Sequence, residues 1–358
     1  MRRLALAALA ALALLGTGAA PSPAAVNLER LLDPTPAPTL AAYDLFRDAG
    51  GRSPNLGLMP YAPASELFSD YADKARFLYL PPGTQARYRA QDVLDFPVGA
   101  TLVKTFAYPA DFRQPDEKVR LLETRLLIRR ESGWVPLTYV WNAEQTEAVL
   151  KRAGARIDVA FTDRASRAVK VDYAVPNANQ CKECHAVNEV MSPIGPKARN
   201  LNSPYPYVDG PENQLARWTK LGLLQGAPAP AAAPLAPRWT DATVSTDARA
   251  RAYLDANCGH CHSPEGIANN SGLFLEWEQA DPVARGVGKR PVAAGRGSGG
   301  FDFDIAPGDP DRSILIHRME STDPGVMMPE LGRSLVHAEA VALMRQYVAE
   351  MPRERPPG

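Results

Sequence analysis

The chain has 358 residues with 40 Lys+Arg against 40 Asp+Glu, a balance that excludes the basic surface expected of a nucleic-acid or acidic-membrane binder. Its 34 prolines are nearly double the usual share of about 5%, and 45% hydrophobic residues suffice for two or three packed units. Stiff connections and many turns are expected, and global disorder is excluded.

Residues 1–25 open with Arg2 and Arg3, run through Leu and Ala from Leu4 to Leu15, and finish in small residues, the pattern of a secretory signal peptide. An apolar run of 12 residues is shorter than the roughly 18 that cross a bilayer, so the protein is not expected to span a membrane. Export predicts a periplasmic location, and loss of the two arginines from the balanced chain leaves a net charge of −2.

Residues 26–175 read as a β-rich domain. The runs Ala75 to Leu80, Ala100 to Ala107, Arg120 to Arg129 and Trp134 to Trp141 are rich in Leu, Val, Phe and Tyr and are bounded by Pro or Gly. Glu131-Ser-Gly133 predicts a hairpin turn between the last two. The expected fold is an antiparallel β-sandwich followed by mainly α-helical segments, α+β as a whole. The domain holds no histidine or cysteine, so it is expected to dock or to act as a lid and not to carry a reactive centre.

Residues 176–225 contain Cys181-Lys-Glu-Cys184-His185 and one clear helix, Asn213 to Leu221, closed by Gly222. Residues 226–237, with four prolines, predict a semi-rigid linker able to span about 37 Å as polyproline II. Residues 238–352 form a second unit, followed by a tail at 353–358. In that unit Ser245 or Thr246 caps a helix whose Ala248, Ala252, Leu254 and Ala256 run into Cys258-Gly-His-Cys261-His262, and Leu335 to Met351 reads as a closing amphipathic helix.

The two Cys-x-x-Cys-His pentads carry the chemistry. With 5 histidines in the chain, one directly behind each cysteine pair is not a chance arrangement. Two thiols three residues apart on one helical turn can form thioethers to both vinyl groups of a porphyrin, and the next residue then offers imidazole to the iron. Two covalent haem c groups are therefore predicted, on Cys181, Cys184 and His185 and on Cys258, Cys261 and His262. A shared zinc ion would not need the trailing histidines, and a thioredoxin-type pair would open a helix after a strand.

Each iron needs a sixth ligand or keeps an open position. For the second haem, Met327-Met328-Pro329 resembles the Met-Pro distal loop of class I cytochromes c, and the proline holds Met328 extended; Met328 is the first choice and Met327 the alternative. The first haem has no such loop. Met191 follows His185 by six residues, about 21 Å when extended and barely enough to pass a porphyrin edge; Met59, His317 and His337 are further candidates. His260 lies inside its own pentad and reads as a surface histidine.

Weaker patterns carry less. Gly295 to Gly300 matches GxGxxG but opens no helix for a phosphate; Asp302, Asp304, Asp309 and Asp311 do not follow an EF-hand; and Lys197, Arg199 and Arg296 are candidates for haem propionates.

The stretches Leu67-Phe-Ser-Asp-Tyr-Ala72, Asp95-Phe-Pro-Val-Gly99, Leu102-Val-Lys-Thr-Phe106, Tyr139-Val-Trp-Asn142, Gly195-Pro-Lys-Ala-Arg199 and Val292 to Gly300 together resemble a family of secreted dihaem c-type cytochromes of uncharacterised function. That resemblance covers most of the mature chain and implies a β-rich domain plus two haem segments, with a redox partner in the cell envelope. The leading expectation is a periplasmic electron carrier with no catalytic residue of its own. The alternatives are a dihaem peroxidase with an open first haem, and a haem-bearing binding module.

Overall fold

The computed structural model describes residues 25–292 and 294–353. The predicted signal peptide, apart from Ala25, and residues 354–358 of the tail lie outside the described residues. The N-terminal unit starts with a short helix, α1 (Leu28–Leu32), capped by Asn27, whose side chain accepts from the Arg30 amide. Nine strands follow: β1 (Leu58–Pro60), β2 (Asp73–Tyr79), β3 (Ala86–Arg87), β4 (Thr101–Tyr108), β5 (Arg120–Arg130), β6 (Gly133–Trp141), β7 (Ala148–Leu150), β8 (Ala155–Thr162) and β9 (Ala168–Val175). Six of them form one antiparallel sheet in the order β1-β2-β4-β5-β6-β7. The predicted turn at 131–133 joins β5 to β6, and Gly133 takes φ 118, where a side chain would be strained.

The predicted sandwich of two sheets is corrected to one six-stranded sheet with different layers on its two faces. Alternation along the strands sends every second residue to one side. Val103, Leu126, Leu137 and Tyr139 pack with Leu31, Tyr43 and Leu45 from the N-terminal segment, which covers that face in place of a second sheet. On the opposite face the neighbours change along the strands. At one end Leu78 and Leu102 join a core with Leu201, Leu215 and the fully buried Trp218. At the other end Phe106 and Leu122 pack against the separate β8–β9 hairpin through Val159, Phe161, Val171 and Tyr173. Between these cores one row of paired residues, Arg76, Lys104, Arg125 and Thr138, crosses β2, β4, β5 and β6 and faces a cavity.

The remaining elements are short. The helix α2 (Ala178–His185) leads into a two-stranded hairpin, β10 (Ala186–Val187) and β11 (Val190–Met191), then α3 (Ala198–Leu201), the hairpin β12 (Pro204–Tyr207) and β13 (Gly210–Asn213), α4 (Gln214–Lys220) and β14 (Leu224–Gln225). α4 is the helix expected over 213–221, with the Asn213 side chain accepting from Ala216 N and Gly222 at φ 69 beyond its end. The predicted linker does not span open space. Asn202 Nδ2 donates to the carbonyls of Pro230, Ala233 and Pro234, Ala236 N donates to Arg199 O, and Ala236 is buried. A chain with so many carbonyls and few N–H groups needs external donors, and Asn202 supplies them.

The C-terminal unit contains α5 (Thr246–Leu254), α6 (Ile314–Glu320) and α7 (Ala338–Ala349), which share a core of Tyr253, Leu254, Ile316, Met319, Leu343, Met344 and Tyr347. Ser245 caps α5, its Oγ accepting from Ala248 N. Among the described residues no helix is long and apolar enough to cross a membrane.

Candidate functional site

Both pentads open onto one cavity of about 770 Å³. Its walls are the central row of the sheet, the α2 segment, the turn after α5 and the Met328 loop. Such a volume lies in the upper part of the usual range for small-molecule and cofactor sites, about 300–1,000 Å³.

The first pentad is presented by α2. Asn177 and Gln180 form a reciprocal capping box, with Asn177 Oδ1 2.9 Å from Gln180 N and Gln180 Oε1 3.0 Å from Asn177 N. This box holds the first turn of an eight-residue helix that has no buried apolar face to dock it. Cys181, Cys184 and His185 then lie three and four residues apart on one side of the helix. The β10–β11 hairpin follows immediately, turning through Asn188 and Glu189, both with positive φ, so that Ser192 returns over the imidazole. Ser192 O lies 2.8 Å from His185 Nδ1, and Ser192 N donates to His185 O at 2.7 Å. The hydrogen bond assigns the proton to Nδ1 and leaves the Nε2 lone pair for a metal.

The second pentad sits where α5 widens into a single π turn, Asp255–Gly259. The chain doubles back so closely that a side chain at Gly266 would collide with the Cys261 carbonyl, and Ala268 N donates to that carbonyl at 3.0 Å. This loop delivers Ser271, whose hydroxyl donates to Ala268 O at 2.7 Å while its oxygen stands 3.3 Å from His262 Nδ1. The two pentads thus use one device, an oxygen acceptor on Nδ1 brought back by a tight loop. Burial pushes both imidazoles down to a pKa of about 4, so each is neutral at physiological pH.

The pentads also touch. Cys184, His260 and Cys261 place their ligand atoms within 4.8 Å of one another, the one such group of three among the described residues. Cys261 Sγ lies 3.6 Å from Glu183 O, and Asn188 N donates to Glu265 O at 3.0 Å. The hydrogen bond from Cys261 lowers the pKa of the Cys184 thiol, while the same contact and burial raise that of Cys261. Burial raises Cys181, and takes Cys258 to about 12. His260 is therefore not a surface residue: it lines the cavity, and its Nδ1 is buried without a hydrogen-bond partner among the described residues.

Of the proposed sixth ligands, Met328 lines the cavity and Met327, though buried, does not. Met191 pairs with Ala186 in the hairpin that directly follows His185 and does not line the cavity. Met59 pairs with Leu78 at the sheet edge, and His317 packs against Phe301. His337 stacks on Phe68 at 4.0 Å and lies 3.1 Å from the Tyr253 hydroxyl, closing an aromatic joint between the two units. None of these three lines the cavity.

The expected propionate partners are reassigned. Arg199 is wholly buried and committed to Asp255, Glu278 and the Gln91 carbonyl, and Arg296 pairs with Asp323. Lys197 remains at the cavity wall. Asp302, Asp304 and Asp311 each face a cation, Asp304 at 3.1 Å from Lys289 Nζ, which argues against a calcium site. Gly295–Ser298 is a short 3₁₀ turn and not a phosphate-binding helix start.

The stretch Leu67–Ala72 clamps the sheet domain to the second unit. Phe68 N donates to Asn257 Oδ1 at 2.7 Å, and the Asp70 carboxylate receives Ser334 N, Ser334 Oγ and Leu335 N just beyond the Met328 loop. Tyr71 OH donates to Glu339 at 2.8 Å.

The His337 joint has a consequence for acid stability. Burial lowers its pKa from the usual 6.5 to about 4, with Glu339 and Lys74 as the charged groups facing it. The unfolded chain binds this proton below about pH 6.5 and the folded chain only near 4, so stability falls as pH drops through that window and levels below it. His337→Phe, which keeps the stack, should flatten the fall in urea stability between pH 6.5 and 4 by on the order of 1–3 kcal/mol. Equal slopes in both proteins would place the acid sensitivity elsewhere.

The chain matches no protein-family model, no curated protein and no solved structure closely enough to count as a relative.

Proposed function

We propose that the protein is an exported two-haem c-type cytochrome that passes single electrons between its two haems and a partner protein. The observation that carries this reading is the single cavity onto which both pentads and Met328 open, with each trailing histidine anchored through Nδ1. When bound, haem iron supplies one-electron chemistry, and a His/Met ligand pair favours the higher potentials of carriers.

The chain's own residues fit that cofactor. Cys181 and Cys184, and Cys258 and Cys261, would each hold one porphyrin through sulfur; His185 and His262 would offer neutral imidazoles held in one tautomer; and Met328 would supply a thioether to the second iron. The order of α5, pentad, Met-Pro loop and α7 follows that of class I cytochromes c. The sheet domain contributes a wall of the cavity through Arg76, Lys104, Arg125 and Thr138. Because the Cys184 and Cys261 sulfurs are near neighbours, groups bonded to them are neighbours too, an arrangement suited to exchange between them.

The Cys184–His260–Cys261 group supports a competing reading, a thiolate metal site. It supplies three donors where structural zinc takes four, leaves His185 and His262 without a purpose, and needs a small part of the cavity. The readings separate in one measurement: denatured protein from a strain competent in haem attachment should retain two porphyrins per chain by mass and by its reduced pyridine spectrum. Colourless protein carrying stoichiometric zinc would establish the competitor.

A further expected result concerns the Met-Pro loop. Met328→Ala should abolish the weak sulfur-to-iron band near about 695 nm in the ferric protein, whereas Met327→Ala should leave it in place. Retention of the band in Met328→Ala would move the ligand elsewhere.

A further inference from the structure

The first haem has no methionine or histidine at its disposal in the places the sequence suggests, yet its cavity is lined by an amine that has no hydrogen bond or ion pair among the described residues. Resting on the two-haem reading, we propose that the Lys104 side-chain amine is the sixth ligand of the iron held by His185.

Lys104 stands at the centre of the polar row that crosses the sheet. Its cross-strand neighbours are Arg76 on β2 and Arg125 on β5, and all three line the cavity. The two arginines are paired: Arg76 lies 3.1 Å from Glu66, and Arg125 Nε 2.9 Å from the fully buried Glu123, which also accepts from Tyr173 OH at 2.7 Å. Lys104 has no hydrogen bond and no ion pair among the described residues; its Nζ hangs 4.9 Å over the Phe106 ring. Lys104 is partly buried and lines the cavity. Burial, and after it the charges of Arg125, Arg76 and Lys74, drive its pKa well below the usual value. Burial therefore favours the neutral form of this amine, whose nitrogen can donate to an iron. It is also near enough to act electrostatically on His185 and Cys181.

The methionine, tyrosine and histidine donors at the cavity are accounted for, and of its two lysines Lys104 is the one that acts electrostatically on His185. Met319 and Met328 belong to the α6 segment and loop of the second unit. Tyr173 spends its hydroxyl on Glu123, and burial pushes Tyr61 up to about 12, so that it stays a protonated phenol. His260 lies among the sulfurs, its ring nitrogen within 4.8 Å of those of Cys184 and Cys261.

The test is spectroscopic. The ferric wild-type protein should show two low-spin irons, one with the Met328 band near about 695 nm and one without it. In Lys104→Ala one iron should become high-spin in the EPR spectrum and bind added imidazole or cyanide, with the Met328 band unchanged. Lys104→Met, which preserves length and apolar character, should restore a low-spin iron with a second sulfur-to-iron band. A high-spin first iron in the wild type, or unchanged low-spin signals in Lys104→Ala, overturns the proposal while two retained porphyrins leave the two-haem reading standing. A mass lacking porphyrin defeats that reading itself. The wild-type spectrum alone decides if the alanine protein fails to fold.

Discussion

Replacing Cys181 and Cys184 together by alanine is expected to yield a protein that retains one porphyrin in place of two, with half the pyridine haemochrome absorbance per chain and an undiminished Met328 band. The converse pair, Cys258 and Cys261 to alanine, should also retain one but lose that band. Each pentad has its own helix turn, its own Nδ1 acceptor and its own returning loop, so attachment at one does not require the other. The shared cavity couples them afterwards: with one occupant missing, the sheet row and the Met328 loop face a void, and lining contacts are lost. Each single-haem protein should therefore melt below the parent. Loss of both porphyrins from either double mutant would show that the two sites assemble as one, and an unchanged porphyrin count would refute attachment at these cysteines.

The second large effect belongs to Arg199. Its guanidinium is wholly buried, with Nη2 2.7 Å and Nε 3.1 Å from the Asp255 carboxylate, and Nη1 2.9 Å from Glu278 and 2.8 Å from Gln91 O. Asp255 begins the π turn that presents the second pentad, and Arg199 follows the first, so this pair sets one pentad against the other. Arg199→Met removes one partner and strands a buried carboxylate, at an expected cost of ~3–5 kcal/mol in urea unfolding. Adding Asp255→Leu should recover more than half, because an apolar pair of similar volume avoids the uncompensated charge. Trp277 N, which donates to Asp255 at 3.1 Å, would lose its acceptor and prevents full recovery. A loss below about 1 kcal/mol in the single mutant would mean that water reaches Asp255.

Several features were legible before any fold was known because they are local. The pentads, the Met328-Pro329 step, the cap at Ser245, the helix ended by Gly222 and the 131–133 turn each depend on residues within a few positions of one another. Strand positions followed from β-branched and aromatic runs, since alternation on a half-buried sheet is written into consecutive residues. What covers each face is not. The N-terminal segment replaced the second sheet of a sandwich through long-range packing of Leu31, Tyr43 and Leu45, which no periodicity announces.

Lys104 and His260 were missed for the same reason. Lys104 interrupts an apolar strand between Leu102 and Phe106 on one face, a visible oddity, but its significance depends on Arg76 and Arg125 arriving from other strands with their own acids. His260 looked superfluous inside a complete pentad until the first pentad came to rest against it. Arg199 reads as a partner for a haem propionate because nothing near it in sequence reveals Asp255, 56 residues away, as its partner. The proline-rich stretch at 226–237 looked like a spacer because its missing N–H groups are local and the Asn202 donor is distant.

The sequence by itself determined the chemistry on offer: two thiol pairs each backed by an imidazole, a thioether stiffened by proline, and an N-terminal export pattern, all contained in short spans whose covalent spacing sets their reach. Only the tertiary structure decided that both pentads share one cavity and that a lysine from the sheet stands in it. Those are matters of which distant surfaces exclude water together, and burial, unlike spacing, is a property of the folded whole.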